Sequence, residues 1–305
     1  MNILITGATG FIGSRLCEAL AAAGDAPIAL SRRPADAQQR VPALANAFAW
    51  SPMEEPPPQE ALEGVDAVVH LAGENVSGRW TAEKKRAIRE SRVQGTRHLV
   101  EALQQSESKP GVLVSASAVG IYGDRGDEEL TEDAEPGSDF LADVCAAWEA
   151  EAQRAASNDV RVVNPRIGIV LGPNGGALQA MLTPFKLGAG GPLGSGQQWW
   201  PWVHREDVVG LIRHAIEHDD LQGPVNATAP SPARQRDFAK ALGRVLGRPA
   251  LMPAPAFALK LLLGEFSQEL LGSQRVLPER AQAAGYTFQY PDLEPALQAI
   301  LESEA

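Results

Sequence analysis

MNILITGATGFIG, residues 1–13, decides the fold of this chain. Residues 2–6 form a short apolar run of strand type, and glycines follow at Gly7, Gly10 and Gly13. Phe11, Ile12, Leu16 and Leu20 then recur at helical spacing, so the order is strand, tight glycine turn, helix. In that context a glycine triplet reads as a dinucleotide-binding turn. Gly7 allows the sharp turn, Gly10 lets the backbone approach a pyrophosphate, and Gly13 lets the helix pack closely on the strand. The free N–H groups and positive dipole end of the new helix face the phosphates. The expected contacts here are Thr6, Gly7, Thr9, Gly10, Phe11, Ile12 and Gly13.

Twenty residues on, a second strand over 26–31 ends in Ser31-Arg32-Arg33-Pro34. A site for NAD usually carries Asp or Glu there to bind the ribose hydroxyls. This chain has two arginines and no acid, and guanidinium groups suit a 2′-phosphate by charge and by fork geometry. The expectation is NADP(H) in preference to NAD(H), held by Ser31, Arg32 and Arg33. The bland alternative is a pair of solvated arginines.

Strands and helices alternate from there. A buried strand over 66–71 runs into His70-Leu71-Ala72-Gly73-Glu74. Small residues after a central strand let a cofactor lie against the backbone, so Leu71, Ala72, Gly73 and Glu74 join the expected cofactor contacts. His70 has no carboxylate or cysteine partner at motif spacing and reads as a satisfied strand residue. Residues 81–105 predict a long helix capped by Thr81, residues 111–115 a strand, 140–157 a helix and 160–164 a strand ending at Pro165-Arg166. The alternation predicts an α/β fold, a Rossmann-type doubly wound parallel sheet.

After Arg166 the character changes. Residues 168–196 are rich in glycine and proline, and QQWWPWVH at 197–204 holds three of the six tryptophans. Helices are predicted over 205–217, 234–246, 255–271 and 293–301, with a short strand over 225–228. The expected organisation is a dinucleotide-binding domain over 1–165, to which 203–228 returns, and a smaller, mostly helical C-terminal lobe over 166–305 on the substrate side.

Composition narrows the partners. A net charge of −11 makes nucleic acid or an acidic membrane surface a poor main partner. Cys17 and Cys145 build no disulfide framework, which suits a reducing compartment. No apolar run is long enough to span a bilayer, and the first strand begins at Asn2 with no signal peptide before it, so the expectation is a cytoplasmic protein. The five histidines, at 70, 98, 204, 214 and 218, make no ligand-like cluster, so no metal is expected. The oligomeric state stays open.

The GxxGxxG spacing resembles the short-chain dehydrogenase/reductase superfamily. By Tyr122 the chain is similar to its extended group, through HLAG at 70–73, the Ser-rich strand before Tyr122-Gly123 and R-x-G-x-V-x-G-P at 166–173. Residues 172–198 and the following WWPWVHREDVV resemble an atypical subgroup, the epimerase family proteins, with a small C-terminal domain of unassigned function. The resemblance implies cofactor contacts at Ser115, Pro165 and Arg166, and a substrate carbonyl oriented by Ser117. It also implies a Tyr four residues before a Lys as proton source. Alignment on Glu149 puts Leu141 and Cys145 at those two places, and none of the three tyrosines has Lys four residues later.

Arg92 stands where extended members commonly carry Asn. It is a candidate for stabilising an oxyanion, for binding substrate or cofactor, or for a structural role on backbone carbonyls. Candidates for the missing acid are Tyr122, Glu74 and, least, Cys145. Trp199, Trp200 and Trp202 are either lobe core or a substrate wall. The function so implied is an NADP(H)-dependent oxidoreductase or epimerase-like enzyme with a small-molecule substrate. The alternative is an inactive NADP(H)-binding sensor or interaction module.

Overall fold

The computed structural model describes residues 1–303. In chain order its strands and helices are β1 (Asn2–Thr6), α1 (Gly13–Ala22), β2 (Ala26–Ser31), α2 (Pro34–Arg40), β3 (Asn46–Ala49), β4 (Ala67–His70), α3 (Ala82–Gln105), β5 (Val112–Ser115), β6 (Ser117–Ala118), β7 (Glu129–Leu130) and α4 (Phe140–Gln153). The chain continues through β8 (Arg161–Ile167), β9 (Ile169–Leu171), α5 (Gly176–Lys186), β10 (Trp199–Trp200), β11 (Trp202–His204), α6 (Arg205–Glu217), β12 (Gly223–Ala227) and β13 (Ala233–Arg234). It closes with α7 (Gln235–Val245), α8 (Ala256–Leu263), α9 (Ser267–Leu271), β14 (Arg275–Val276), α10 (Glu279–Ala283) and α11 (Leu293–Glu302).

The main sheet is parallel and runs β12-β8-β5-β4-β1-β2-β3, with β6 beside β8. Its central strands are buried on both faces, as a parallel sheet covered by helices requires: Ile3, Leu4, Ile5, Val68, Val69, Leu113 and Val114 are fully enclosed. On one face α1 contributes Leu16, Cys17 and Leu20, and α6 contributes Val208, Leu211 and Ile212. On the other, Leu99, Val100 and Leu103 of α3 pack with Ala152 of α4.

The chain leaves β1 toward β2 and β3, then crosses back to β4 on the opposite side. The carboxyl ends of β1 and β4 are therefore neighbours, Thr6 opposite His70. A doubly wound sheet binds its ligands in the crevice at this reversal. The glycine turn after β1 and the Leu71–Gly73 turn after β4 form its two lips.

Beyond β8, a separate core gathers Leu178, Leu182, Phe185, Trp200, Trp202, Phe238, Leu242, Leu297 and Ile300. Within the stretch rich in glycine and proline lies a helix, α5, that composition hid. The single helix expected over 255–271 is broken. Gly264, at φ +61°, ends α8 and a 3₁₀ turn leads into α9. The C-terminal part is tied to the sheet end of the molecule: β14 pairs with β7, and Gln274 Nε2 donates to the carbonyls of Val119 (3.1 Å) and Gly123 (3.0 Å).

Candidate functional site

The turn after β1 is shaped by the absence of side chains. A Cβ on Gly7, at φ +70°, would lie 2.9 Å from the Leu71 carbonyl carbon, and one on Gly13 would lie 2.2 Å from the Gly7 oxygen. Gly10 differs: a Cβ there meets only the Gly7 oxygen, at 3.1 Å, and otherwise open space. That space is a cleft of about 280 Å³ between the two lips, reaching from Gly7, Thr9 and Gly10 to Ser31 and Arg32 and back to Leu71, Ala72 and Gly73. Helix α1 opens onto it with no side-chain cap and no acid in its first turn, which leaves N–H donors for an anion.

Ala8, Leu30, Trp50 and Pro52 complete the cleft and were missed from sequence. Trp50 follows the end of β3, where strand polarity alone gives no hint of which way an indole turns. The expected contact Phe11 points elsewhere. Its ring lies under Arg205, 4.9 Å away, and fills the room left by Gly172, Gly175 and Gly176. Phe11 and Ile12 thus offer the cleft only their backbone.

Thr6 is a brace rather than a cofactor contact. Fully buried, its Oγ1 accepts from the N–H groups of Leu71 (3.1 Å) and Ala72 (3.0 Å) and lies 2.7 Å from His70 Nδ1. His70 Nε2 meets Thr96 Oγ1 at 3.0 Å, and burial lowers its pKa to about 4, so the ring is a neutral strut. The two arginines after β2 divide. Arg32 lines the cleft and has no hydrogen bond or ion pair among the described residues, whereas Arg33 is turned toward Asp36 at 3.7 Å. Ser31 Oγ accepts from the Arg33 N–H.

Most of the expected catalytic groups are committed elsewhere. Ser117 Oγ donates to Glu149 Oε1 at 2.6 Å and the residue is 2% exposed, so its proton is not free for a carbonyl. Arg166, expected at the cofactor, spends every nitrogen on protein: Nε and Nη2 on Glu149 (2.9 and 3.0 Å), Nη1 on the Tyr122 hydroxyl (2.9 Å) and the Glu132 carbonyl (3.1 Å). Burial opposes its charge, but Glu149 and Tyr122 hold its pKa above the ordinary value. A guanidinium this enclosed has to be neutralised where it stands. Pro165 lies beside it inside β8, opposite Val225.

Tyr122 is fully buried and donates to Asn226 Oδ1 at 2.7 Å; burial raises its pKa, which removes it as a proton donor at a pocket wall. Ser115 is fully buried too, its hydroxyl without a partner among the described residues. Glu74, far from being desolvated, is paired with Lys84 at 2.6 Å and half exposed. Burial pushes the Cys145 thiol up to about 12, so it is inert.

Arg92 comes nearest to the cleft. Its guanidinium lies against Gly73, donates to the carbonyls of Glu74 (3.0 Å) and Ile88 (3.1 Å), and sits 5.2 Å from the Trp148 ring. It supports the turn after β4. Removing the Ser117 hydroxyl tests the reassigned role: Ser117→Ala is expected to lower stability by about 1.5–3 kcal/mol, the worth of a hydrogen bond to a charged group. Chemical denaturation checks this, and an unchanged midpoint would contradict it.

The tryptophans are core and lobe surface rather than a substrate wall. Trp200 and Trp202 are buried in the small core, and Trp199 is held between Arg234 and Arg275, its Nε1 donating to Asp127. A second cavity, of about 490 Å³, opens beyond Gly123 against the C-terminal part. Its walls include Asp139, Gln198, Lys260, Glu269 and Gln274. Among the described residues no group of three potential ligands could hold a metal, and no helix is long and apolar enough to cross a membrane.

Residues 3–227 match the model of the NAD dependent epimerase/dehydratase family, and residues 254–300 match a domain of unknown function, DUF1731. The chain is 44% identical to the chloroplastic epimerase family protein SDR39U1 homolog of Arabidopsis thaliana, over 99% of this chain and 87% of that one. It is 39% identical to the epimerase family protein YfhF of Bacillus subtilis, over 99% and 98% of the two chains. The crystal structure of human epimerase family protein SDR39U1 (isoform 2) with NADPH superposes with a TM-score of 0.90 at 35% identity, covering 99% of each chain.

Proposed function

We propose a function from the premise that this chain belongs to the NAD dependent epimerase/dehydratase family: it binds NADPH and acts as an oxidoreductase or epimerase-like enzyme on a small molecule. The observation that carries the reading is the cleft itself. A turn whose middle glycine faces open space, an uncapped helix start and an unpaired arginine fit a pyrophosphate and a 2′-phosphate together. The human relative in the crystal with NADPH supports the same cofactor. Gly10 and the start of α1 would hold the pyrophosphate, Arg32 the 2′-phosphate, and the turn 71–73 the part that crosses β4. When bound, the cofactor supplies a hydride donor at its nicotinamide ring.

A cofactor held in this way would direct its nicotinamide half past β4 toward β5, and a further cavity lies beyond Gly123. A second cavity of about 490 Å³ with mixed polar and apolar walls favours a catalyst over a sensor, since a protein that only reports cofactor occupancy has no need of space for a second ligand. What the chain contributes to chemistry is position and exclusion: Arg92 braces the turn that forms one lip of the cofactor cleft, and the C-terminal part walls the cavity.

Fluorescence titration with NADPH and NADH tests the cofactor assignment. NADPH is expected to bind at least about tenfold more tightly, since one charge-assisted contact to the 2′-phosphate is worth ~1.5–3 kcal/mol. Arg32→Ala should remove most of that preference, and Arg33→Ala, already turned to Asp36, less of it. Equal affinities for the two cofactors in the wild type would refute the assignment.

A further inference from the structure

The cavity beyond Gly123 lies between the Gly123–Asp124 turn and Asp139, which precedes α4, on one side and the α8–α9 segment on the other. Three carboxylates line it, and two are already occupied. Asp139 Oδ1 accepts from the Ala142 N–H as the cap of α4, and Asp124 Oδ1 accepts from the N–H groups of Ser273 and Gly126. Glu269, on α9, is partly buried and has no hydrogen bond or ion pair among the described residues. A single cation, Lys260 of α8, lines the cavity from an exposed position. Lys85 of α3, on the same side, is taken by Glu265 at 2.7 Å.

We propose that this cavity receives a small substrate carrying an ammonium or iminium group, with the Glu269 carboxylate as its counter-ion. The inference rests on the NADPH reading above and gives that site its substrate class. Three carboxylates against one ammonium set a negative field, the wrong sign for a phosphate or carboxylate ligand and the right one for a cation.

The missing proton machinery points the same way. Reducing a carbonyl builds negative charge on oxygen, which demands a well-placed donor. Here Ser117 is committed to Glu149, Tyr122 is buried on Asn226, and Leu141 and Cys145 stand where the resemblance would place Tyr and Lys. An iminium carbon makes no such demand. It takes the hydride with its electron pair, the C=N π pair withdraws to nitrogen as a lone pair, and NADPH becomes NADP⁺. Solvent then protonates the amine. Positive charge on the substrate falls during the step, so the site needs a counter-ion to hold the reactant and no acid to finish it.

Burial and the neighbouring Asp139 push Glu269 up to about 7. Asp124 and Lys260 line the same cavity, and the Cys145 thiol is near enough to feel the charge of Glu269. Because only the ionised carboxyl attracts a cation, affinity should rise with pH, by roughly tenfold between pH 6 and pH 8, as the ionised fraction grows.

The experiment is calorimetric titration of the NADPH-loaded protein with three isosteres: benzylamine, benzyl alcohol and benzoate. Benzylamine, protonated throughout that pH range, is expected to bind at least about tenfold more tightly than the other two. Glu269→Gln should weaken it by about the same factor and flatten its pH profile, with NADPH affinity unchanged. Lys260→Gln, at an exposed residue where folding is not at risk, should tighten benzylamine about two- to fivefold. Benzyl alcohol equal to benzylamine, preference for benzoate, a pH profile that survives Glu269→Gln, or no gain in Lys260→Gln would each overturn the proposal. NADPH titration of the same samples separates the two readings. Protein that fails to bind NADPH removes the cofactor assignment, while benzylamine titration of the cofactor-free protein still judges the cavity.

Discussion

Gly10→Val is expected to weaken NADPH binding at least about a hundredfold, ~2.7 kcal/mol, and to leave the fold standing. The effect follows from where the new atoms go. A Cβ on Gly10 meets one protein atom, the Gly7 oxygen at 3.1 Å, and the two methyl groups beyond it project into the cleft where a pyrophosphate has to lie against the backbone. Gly10 carries no positive φ, so the valine costs little backbone strain. Gly13→Val is the contrasting control. There the Cβ would stand 2.2 Å from the Gly7 oxygen and 2.9 Å from the Ala8 Cα, both backbone atoms, so α1 must leave its place on the sheet and stability falls with binding. Fluorescence titration and thermal unfolding of both variants separate the outcomes. Wild-type affinity in Gly10→Val would mean that the turn is only a turn.

The glycine turn was legible because everything it does is local. Thirteen consecutive residues specify a strand, a turn and a helix start, and the doubly wound parallel sheet follows from repeating that alternation. The cleft's second lip, 71–73, was legible for the same reason: small residues directly after a buried strand. What sequence could not reach were pairings set by the fold over long separations. Glu149 and Arg166 are recognisable only as two charged residues until β8 and α4 bring them together, and Tyr122 meets Asn226 across 104 positions.

Ser117 shows how one residue of register decides a role. In the strand pair β6–β8 it faces Arg166, and its neighbour Ala118 faces Ile167, so the hydroxyl expected at a substrate carbonyl is turned into the protein. Trp200 and Trp202 were ambiguous for a related reason. An aromatic cluster reads the same in sequence whether it packs a lobe or lines a pocket, and only the partners Phe238 and Leu242 settle it as core. Glu269 carried no signal at all, because its chemistry comes from the empty space beside it.

The second large effect is expected from Glu149→Ala, at about 3–5 kcal/mol of lost stability, the usual cost of stripping one partner from a buried ion pair. Among the described residues Glu149 is the only acceptor for two of the Arg166 nitrogens and for the Ser117 hydroxyl, with side-chain exposures of 7% for Arg166 and 13% for Glu149. Truncation leaves a guanidinium charged and enclosed, facing a gap, with the Tyr122–Asn226 contact and the Glu132 carbonyl unable to supply negative charge. The loss should pass to the substrate side as well, since Arg166 also anchors the loop at Glu132 and the 3₁₀ turn leading to Gly123. Replacing both partners distinguishes the pair's net worth from the cost of orphaning one member. Glu149→Leu combined with Arg166→Met should be clearly more stable than Glu149→Ala alone, because no charge is then left unpaired. Equilibrium denaturation of Glu149→Leu, Arg166→Met and the double variant gives the coupling, expected to exceed about 2 kcal/mol for residues that touch. The midpoint should hardly respond to added salt, because ions cannot enter to screen a pair this enclosed. If Glu149→Ala unfolds within about half a kcal/mol of the wild type, as an unremarkable surface change would, the guanidinium has another counter-charge and the network behind the cavity is wired differently.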